Sequence, residues 1–379
     1  MALMTKRCSV PSRAQLVART LAYLGMGFFM SASSCNEEEI PPNPPTPVVS
    51  RPFYMALTTF APRPGDAARD QTWNFVRDNT DLIGLHYDSV RLPWEALAAG
   101  DVPQDFQEEF VPDTEDSRGH LLYVAVTPLD EARTGVVGDA SGGPFPASLG
   151  PALFSNPRLR RAFVTYSLYI QETFRPAYMA VGIEVNLYDS ANPADFEHFV
   201  TLYKETHEAL KSADPGIVVF PTFQHEFVIG NDQFSLFELF EPRLDRIGLA
   251  TYPSSAGFTP ETLLPDYFSR LRSFSTRPMV VTETGFGSRP FANDDFQAEG
   301  SDALQRDYLL WLLDRAEADS MDFMVWFFPT DIPDVVDQLP ESSSFRFFGY
   351  MGITSAGFRD KTITELWREH LARPHVSNR

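Results

Sequence analysis

The stretch YMAVGIE, residues 178–184, is a short run of strand-forming residues that ends on a glutamate, and PMVVTETG, residues 278–285, repeats this arrangement around a second glutamate. Both runs are almost continuously apolar, which is typical of strands that are covered on both faces. Glu184 and Glu283 therefore stand where a buried strand runs out into a loop. In a parallel α/β barrel that edge carries the reactive side chains, so we expect the two carboxylates to share one site.

Short runs rich in β-branched and aromatic residues recur along the chain. Patterns with the 3–4 residue spacing of amphipathic helices lie between them. Strand alternating with helix, eight times, predicts an α/β fold, the parallel (β/α)8 TIM barrel. Short apolar runs alone do not separate a strand from a buried helix, but the flanking glycines and prolines favour strands. The predicted strands are residues 53–60, 82–87, 121–126, 178–184, 217–223, 246–252, 279–283 and 323–328.

Three helices and two long loops are marked most clearly. One helix begins at Asn192-Pro193, with proline at its first position, and the others cover residues 159–174 and 304–316. Residues 128–157, after the third strand, are rich in glycine and proline and read as a loop, as do residues 329–350 after the eighth. Long loops at the carboxyl rim of a barrel usually shape a cleft.

The N-terminal residues 1–34 resemble a secretory signal peptide. They carry four basic residues and no acid, followed by an apolar run over 21–30 and then small residues. That run is too short to cross a bilayer, which takes about 20 apolar residues. Cys35 comes next and resembles a bacterial lipoprotein cleavage site, although Ala32 stands where leucine is usual. The alternative is an ordinary signal peptide that is cut near the same place.

Removal of the signal leaves Cys35 as the chain's single cysteine, because Cys8 lies within residues 1–34. No internal disulfide is then possible. Residues 35–50 contain a proline-rich segment that predicts an extended tether, or simply a disordered tail, ahead of a barrel domain over residues 51–379. We expect an exported monomer held to the bacterial envelope by a lipid on Cys35.

The charge of the chain limits its partners. The formal net charge is −20, and removing the four positive charges of residues 1–34 leaves −24. Such an excess of acid argues against nucleic acid, whose phosphates require lysine and arginine. The seven histidines lack the spacing of metal ligands. Asp331, Asp334 and Asp337 read as a solvated acidic loop rather than a calcium site, so we expect no metal and no cofactor.

Glu184 and Glu283, at the ends of the fourth and seventh predicted strands, resemble the catalytic pair of the clan A glycoside hydrolases, a group that includes cellulases, β-mannanases and endo-β-1,4-galactanases. The resemblance implies that Glu184 is the acid/base and Glu283 the nucleophile. Residues 246–253 are similar to the sixth strand of these families, whose tyrosine, here Tyr252, reaches toward the nucleophile. Residues 324–327 are similar to the eighth strand, whose tryptophan, here Trp326, floors the sugar site; a core position is the alternative for this tryptophan.

One position departs from the family pattern. These families usually have an asparagine just before the acid/base glutamate, where it binds the substrate 2-hydroxyl. Here that position holds Ile183, and Asn186 follows two residues after Glu184. Asn186 could bind a substrate hydroxyl or merely cap a loop. The departure leaves the sugar open, and it leaves room for a barrel that binds sugar without cutting it.

Two further side chains are candidates for the cleft. His86 ends the second predicted strand, and Gln224 follows the fifth. Each could bind substrate, although a hydrogen-bonded structural residue is an equally good interpretation. The sequence as a whole predicts a retaining glycoside hydrolase acting on a β-linked oligo- or polysaccharide. The alternative is a catalytically silent barrel lipoprotein that binds glycan at the cell envelope.

Overall fold

The computed structural model describes residues 50–88 and 90–376. The predicted signal peptide, Cys35 and the predicted tether up to residue 49 lie outside this part of the chain, so those interpretations stay predictions. Among the described residues, no helix is both long enough and apolar enough to cross a membrane.

Eight parallel β-strands form a closed barrel, in which each strand pairs with its neighbours in the sequence and the last strand pairs with the first. The fifth strand is interrupted at Pro221, because proline has no N–H to donate to a neighbouring strand. Its first half pairs with the fourth strand and its second half with the sixth, so the barrel still closes. The strands are β1 Tyr54–Thr58, β2 Leu82–Tyr87, β3 Leu121–Val126, β4 Tyr178–Val181, β5 Val218–Phe220 and Thr222–Gln224, β6 Ile247–Thr251, β7 Met279–Thr284 and β8 Phe323–Trp326.

Helices surround the barrel, and the three that the sequence predicted are present at Pro157–Phe174, Pro193–Ala213 and Asp302–Ala318. Asn192 precedes the second of these and Pro193 is its first residue, as predicted. The helices are α1 Asp66–Asp78, α2 Trp94–Ala99, α3 Gln104–Glu108, α4 Val111–Asp116, α5 Pro157–Phe174, α6 Val185–Ala191, α7 Pro193–Ala213, α8 His225–Gly230, α9 Leu236–Phe240, α10 Asp302–Ala318, α11 Pro333–Val336 and α12 Thr362–Leu371.

The crossover between β6 and β7 corrects the prediction of a helix after every strand. It contains two short 3-10 segments, Pro253–Ala256 and Ser269–Ser273, where an α-helix was expected. Proline recurs along this stretch, at Pro260 and Pro265 among other positions. Because proline lacks an N–H and clashes with the preceding turn, a full α-helix cannot extend through it.

The barrel separates two apolar layers. Inside it, Tyr123, Phe220 and Phe323 fill the centre, with ring centroids 6.0 Å apart for Tyr123–Phe220 and 5.1 Å for Tyr123–Phe323. Alternate strand residues, such as Met324, point outward and pack against the helices. The interior of the barrel is therefore a packed core rather than a channel.

The amino-terminal end of the barrel is tied to the C-terminal helix. The buried Arg51 donates to the carbonyl of His370 at 3.1 Å and pairs with Asp81 at 2.7 Å. The rings of Tyr54 and His375 stack at 3.9 Å. The first described residues thus enter the domain at the end of β1 that is opposite the rim.

The turn after β4 sets the position of Glu184. The strand ends at Val181, three residues earlier than predicted, because Gly182 turns the chain with a φ of 93°. Glu184 itself has a φ of 50° and precedes α6. Its backbone N–H donates to the hydroxyl of Thr222 on β5 at 2.9 Å. Glu184 therefore sits on a fixed turn rather than on the strand.

A bulge in β7 sets the position of Glu283. Val281 pairs with Leu249 on β6 and with Met324 on β8, yet β7 then runs one residue ahead of both neighbours. Strict alternation would point Glu283 outward, since Val280 belongs to the interior and Val281 to the outer layer. The extra residue turns Glu283 toward the barrel mouth, as bulges near active sites often do.

We predict that Gly182→Ala destabilises the protein by about 3 kcal/mol or more, measured by urea unfolding. An alanine would add left-handed backbone strain of roughly 1–2 kcal/mol. Its Cβ would also lie 2.7 Å from side-chain atoms of Phe199 and Val185, and such overpacking costs roughly 1–3 kcal/mol. Gly119→Ala is the matched control, because Gly119 has a φ of 83° but no neighbour within 4 Å. Equal losses in the two variants would contradict the crowding argument.

Candidate active site

A cavity of about 410 Å³ opens at the carboxyl ends of the barrel strands. It holds both glutamates that the sequence placed in one site, and it falls within the volume range of ordinary ligand pockets. Its polar lining consists of His86, Asp88, Glu131, Arg133, Glu184, Gln224, Tyr252, Ser255, Glu283 and Ser344.

Glu283 is held by two side chains from different strands. Nε2 of His86, on β2, lies 2.8 Å from Oε1 of Glu283, and the hydroxyl of Tyr252 donates to Oε2 at 3.4 Å. All three side chains are largely buried. His86 and Tyr252 thus line the cavity, and they fix the orientation of the Glu283 carboxylate.

Glu184 faces an ion pair that comes from a loop. Nη2 of Arg133 lies 3.4 Å from Oε2 of Glu184. The same guanidinium makes two hydrogen bonds to Asp88, at 2.9 and 2.7 Å. Arg133 belongs to the loop that was predicted over residues 128–157, so this loop reaches the site and leaves the cavity open.

The titration of these groups follows from their burial and their neighbours. Burial and the negative charge of Glu283 raise the pKa of Glu184, Arg133 opposes both effects, and the net pKa is about 7. Burial lowers the pKa of His86, but the charge and hydrogen bond of Glu283 and the charge of Asp88 together outweigh it, and the net pKa lies above the ordinary value. Burial and Glu283 raise the pKa of Tyr252 well above its usual range, so its hydroxyl stays a donor. Glu184 is therefore the carboxyl that retains a proton near neutral pH.

Trp326 corrects the sequence interpretation. It is fully buried in the outer layer, donates from Nε1 to the carbonyl of Met351 at 2.7 Å, and packs against Tyr308. The cavity is lined instead by the next residue, Phe327, whose ring meets His86 edge-on at 5.0 Å. Successive strand residues point to opposite faces, so Trp326 lies in the outer core while its neighbour Phe327 faces the cleft.

Asn186 is also misassigned as a substrate-binding residue. It is fully buried and does not line the cavity. Its amide donates to the carbonyl of Gln224 at 3.2 Å and to Oε1 of Gln233 at 3.1 Å, while its Oδ1 accepts from the N–H of Gln224 at 2.8 Å. Asn186 therefore joins α6 to the end of β5, and its side chain makes these hydrogen bonds within the protein rather than toward the cavity.

Gln224 combines both interpretations that the sequence left open. It lines the cavity, yet its Oε1 accepts from the N–H of Phe227 at 2.6 Å and its Nε2 donates to Glu226 at 2.7 Å. The side chain caps the first turn of α8, so it forms part of the cavity wall with little free hydrogen-bonding capacity.

Several parts of the site carry no sequence signal of their own. Arg133 and Asp88 lie in loops without periodicity, and only the predicted position of those loops at the rim hinted at them. The cavity also has an aromatic wall formed by Phe296, Phe327, Phe328, Phe345, Phe347 and Phe348. Most of these residues come from the loop that was predicted over residues 329–350 or its approach, which agrees with a loop that shapes a cleft.

No metal centre is evident in the part of the chain that the structure describes, where no group of three potential ligand side chains is placed to hold an ion. Asp331, one of the three aspartates considered for calcium, instead forms a buried ion pair with Lys361 at 3.0 Å. The carboxylate is therefore neutralised by the chain itself.

Comparisons with solved structures confirm the predicted barrel fold. The chain is similar to the exo-β-1,4-mannosidase Op5Man5 from Opitutaceae bacterium strain TAV5, with a TM-score of 0.60, 16% identity, and coverage of 86% of this chain and 60% of the mannosidase. It is also similar to a psychrophilic family 10 endo-β-1,4-xylanase, with a TM-score of 0.56, 13% identity, and coverage of 84% and 96%. A third similar structure is an active-site mutant of Rhizomucor miehei β-1,3-glucanosyltransferase, with a TM-score of 0.52, 15% identity, and coverage of 83% and 97%.

The chain thus spans 60% of the length of the mannosidase and nearly the whole length of the other two proteins. No protein-family model matches the sequence, and no curated protein matches it at a significant level. At these identities the likeness concerns the fold alone, which is the (β/α)8 barrel.

We predict that Glu184→Gln changes how stability depends on pH. The pKa of Glu184 rises from 4.5 to about 7 on folding, so between these pH values the folded state holds a proton that the unfolded state has lost, and stability falls as pH rises. Glutamine removes this loss. The variant should therefore gain roughly 3 kcal/mol over the native protein between pH 4.5 and 8, measured by urea unfolding across that range. Parallel pH profiles of the two proteins would contradict the assigned burial of the charge.

Proposed function

We propose that this protein is a retaining glycoside hydrolase in which Glu184 is the acid/base and Glu283 the nucleophile. The observation that carries the proposal is the convergence of the two carboxyls, from β4 and β7, in one cavity at the carboxyl rim. Cleavage of a glycosidic bond needs one carboxyl that delivers a proton and one that bears charge. The two glutamates differ in their surroundings in the sense that this division requires.

Glu184 suits the acid because burial raises its pKa to about 7, so it still carries a proton near neutral pH. Glu283 suits the nucleophile because His86 and Tyr252 bond its two oxygens and orient them. In the first step Glu283 attacks the anomeric carbon while Glu184 protonates the departing oxygen. In the second step Glu184 takes a proton from water, which displaces Glu283 from the sugar.

The lining of the cavity favours an uncharged sugar. The carboxylates of Asp88, Glu131 and Glu283 and the carboxyl of Glu184 face one arginine and one histidine, so an acidic sugar would meet net repulsion. The phenylalanine wall offers apolar faces on which sugar rings can pack. The solved structures with this fold include a β-1,4-mannosidase and a β-1,4-xylanase, which supports a β-linked substrate for this chain.

A second cavity, of about 530 Å³, adjoins the first and shares His86, Asp88, Glu131, Phe327 and Phe345 with it. It extends the open space toward the end of β1. Together the two cavities have room for a substrate longer than one sugar, which supports an oligo- or polysaccharide.

Two observations favour a catalytically silent, glycan-binding barrel as the second candidate. The guanidinium of Arg133 stands 3.4 Å from Glu184 and stabilises its charged form, which opposes its use as an acid. Ile183, in the position where related enzymes usually carry an asparagine, is fully buried and offers no polar group. Turnover measurements separate the two candidates.

We predict that Glu184→Gln and Glu283→Gln each lower kcat/KM by at least about 100-fold while the far-UV circular dichroism stays that of the native protein. The assay uses aryl β-glycosides and plant or bacterial glucans and galactans, with the protein lacking residues 1–50. Glu205→Gln is the control, since Glu205 pairs with Arg160 on the helical surface. NMR of the first-formed product reports the anomer, and retention is expected. Full activity in either variant would remove the mechanism, and inversion would remove the nucleophile.

Export and anchoring belong to the same proposal. The support is the order of basic, apolar and small residues ahead of Cys35. We expect cells that express the full chain to incorporate labelled palmitate into it, and Cys35→Ser to lose the label and leave the membrane fraction. Labelling that persists in the variant would contradict lipidation at Cys35.

A further inference from the structure

The loop between β3 and α5 brings a charged side chain to the acid/base carboxyl, and the inference drawn from it rests on the proposed function. Residues 128–137 form a tight hairpin, in which Asp130 donates its N–H to the carbonyl of Gly135 and Val137 donates to that of Pro128. Arg133 occupies the turn with a φ of 56°. Its N–H and its Nη1 both donate to the carbonyl of Asp130, each at 3.0 Å. The hairpin thus holds the arginine in place.

The guanidinium is placed between two carboxylates. Its two terminal nitrogens bind Asp88 in a bidentate manner, which is the strongest geometry for such a pair. Nη2 also lies 3.4 Å from Glu184. The side chain of Arg133 is 5% exposed, whereas that of Asp88 is 26% exposed. Because water screens the arginine poorly, a change of charge on either residue is felt at Glu184.

Glu184 meets charged and titratable groups from every element around it. Asp88 and His86 approach from the end of β2, Arg133 from the hairpin, Glu283 from β7, and Tyr252 from the end of β6. Arg133 and His86 favour the ionised form of Glu184, whereas Glu283 and Asp88 favour the protonated form. Arg133 and Asp88 therefore act on the same proton in opposite directions, although they bind each other.

We propose that Arg133 and Asp88 are positioning residues that orient the Glu184 carboxyl and set the pH range over which it keeps its proton. Arg133 supplies the polar contact to the carboxylate that the buried Ile183, next to Glu184 in the chain, cannot provide. Asp88 fixes the guanidinium and offsets part of its charge. Without Asp88 the arginine would hold Glu184 ionised, and without Arg133 the acid would bind its proton too tightly to release it to the leaving group.

The pair predicts opposite shifts for two single substitutions. Arg133→Met removes the positive charge, so the alkaline limb of the pH profile of kcat/KM should move up by about one unit or more. Asp88→Asn keeps the shape of the side chain but removes its negative charge, so the limb should move down. Arg133→Lys keeps the positive charge but lacks the bidentate guanidinium. The alkaline limb of its pH profile should therefore stay near that of the native enzyme while kcat falls. A merely structural role would not move the limb in opposite directions.

Arg91→Met is the matched control. Arg91 also contacts the 128–157 loop, through the carbonyls of Asp139 and Gly143, but it is exposed and lies outside the cavity. We expect its pH profile to coincide with that of the native enzyme. Thermal unfolding of each variant checks its fold, and if Arg133→Met does not fold, Asp88→Asn and Arg133→Lys carry the test.

A second readout does not depend on turnover. Glutamate labelled with ¹³C at the side-chain carboxyl gives a titrating NMR signal for Glu184, which is identified by its loss in Glu184→Gln. The midpoint should rise in Arg133→Met and fall in Asp88→Asn. Unmoved midpoints, or midpoints that move in the same direction, would overturn the proposal. Opposite shifts in a protein that cleaves no tested glycoside would support the pair and count against the proposed function, so the two failures are distinguishable.

Discussion

Two carboxyl groups share one poorly hydrated cavity, and the repulsion between their charges is the constraint around which the site is arranged. Glu184 does not ionise freely near neutral pH, because it is buried and lies in the field of Glu283. The surroundings resolve the conflict unequally. Glu283 receives a tyrosine hydroxyl and an imidazole, whereas Glu184 receives a single arginine that Asp88 partly neutralises. In these surroundings the pKa of Glu184 is raised, so this carboxyl keeps a proton near neutral pH.

The barrel provides this arrangement through two local irregularities. The left-handed turn at Gly182 lifts Glu184 off β4, and the extra residue in β7 turns Glu283 inward. Neither feature adds to the stability of a regular barrel, and both occur at the carboxyl rim. Below the rim, aromatic side chains such as Tyr123 fill the interior of the barrel. This packing keeps the barrel closed although the rim departs from regular strand geometry.

The sequence predicts what depends on local patterns. Strands β2 and β3 match residue for residue because continuous apolar runs and flanking turns define them, and α7 begins at Pro193 because proline suits a first turn. Glu184 and Glu283 were found for the same reason. What failed depends on neighbours in space. Whether Trp326 or Phe327 enters the cleft is decided by how β8 registers against the bulged β7, and periodicity within one strand cannot reveal that.

The entry of the chain at the amino end of β1 gives the domain a direction. Arg51 is bound to the C-terminal helix at the base of the barrel, and the glutamates open at the opposite end. The point where the chain enters and the cavity mouth are thus separated by the length of the barrel strands. A long polymer could reach the glutamates without contacting the entry point, so the direction of the strands leaves the mouth unobstructed by the segment at Arg51.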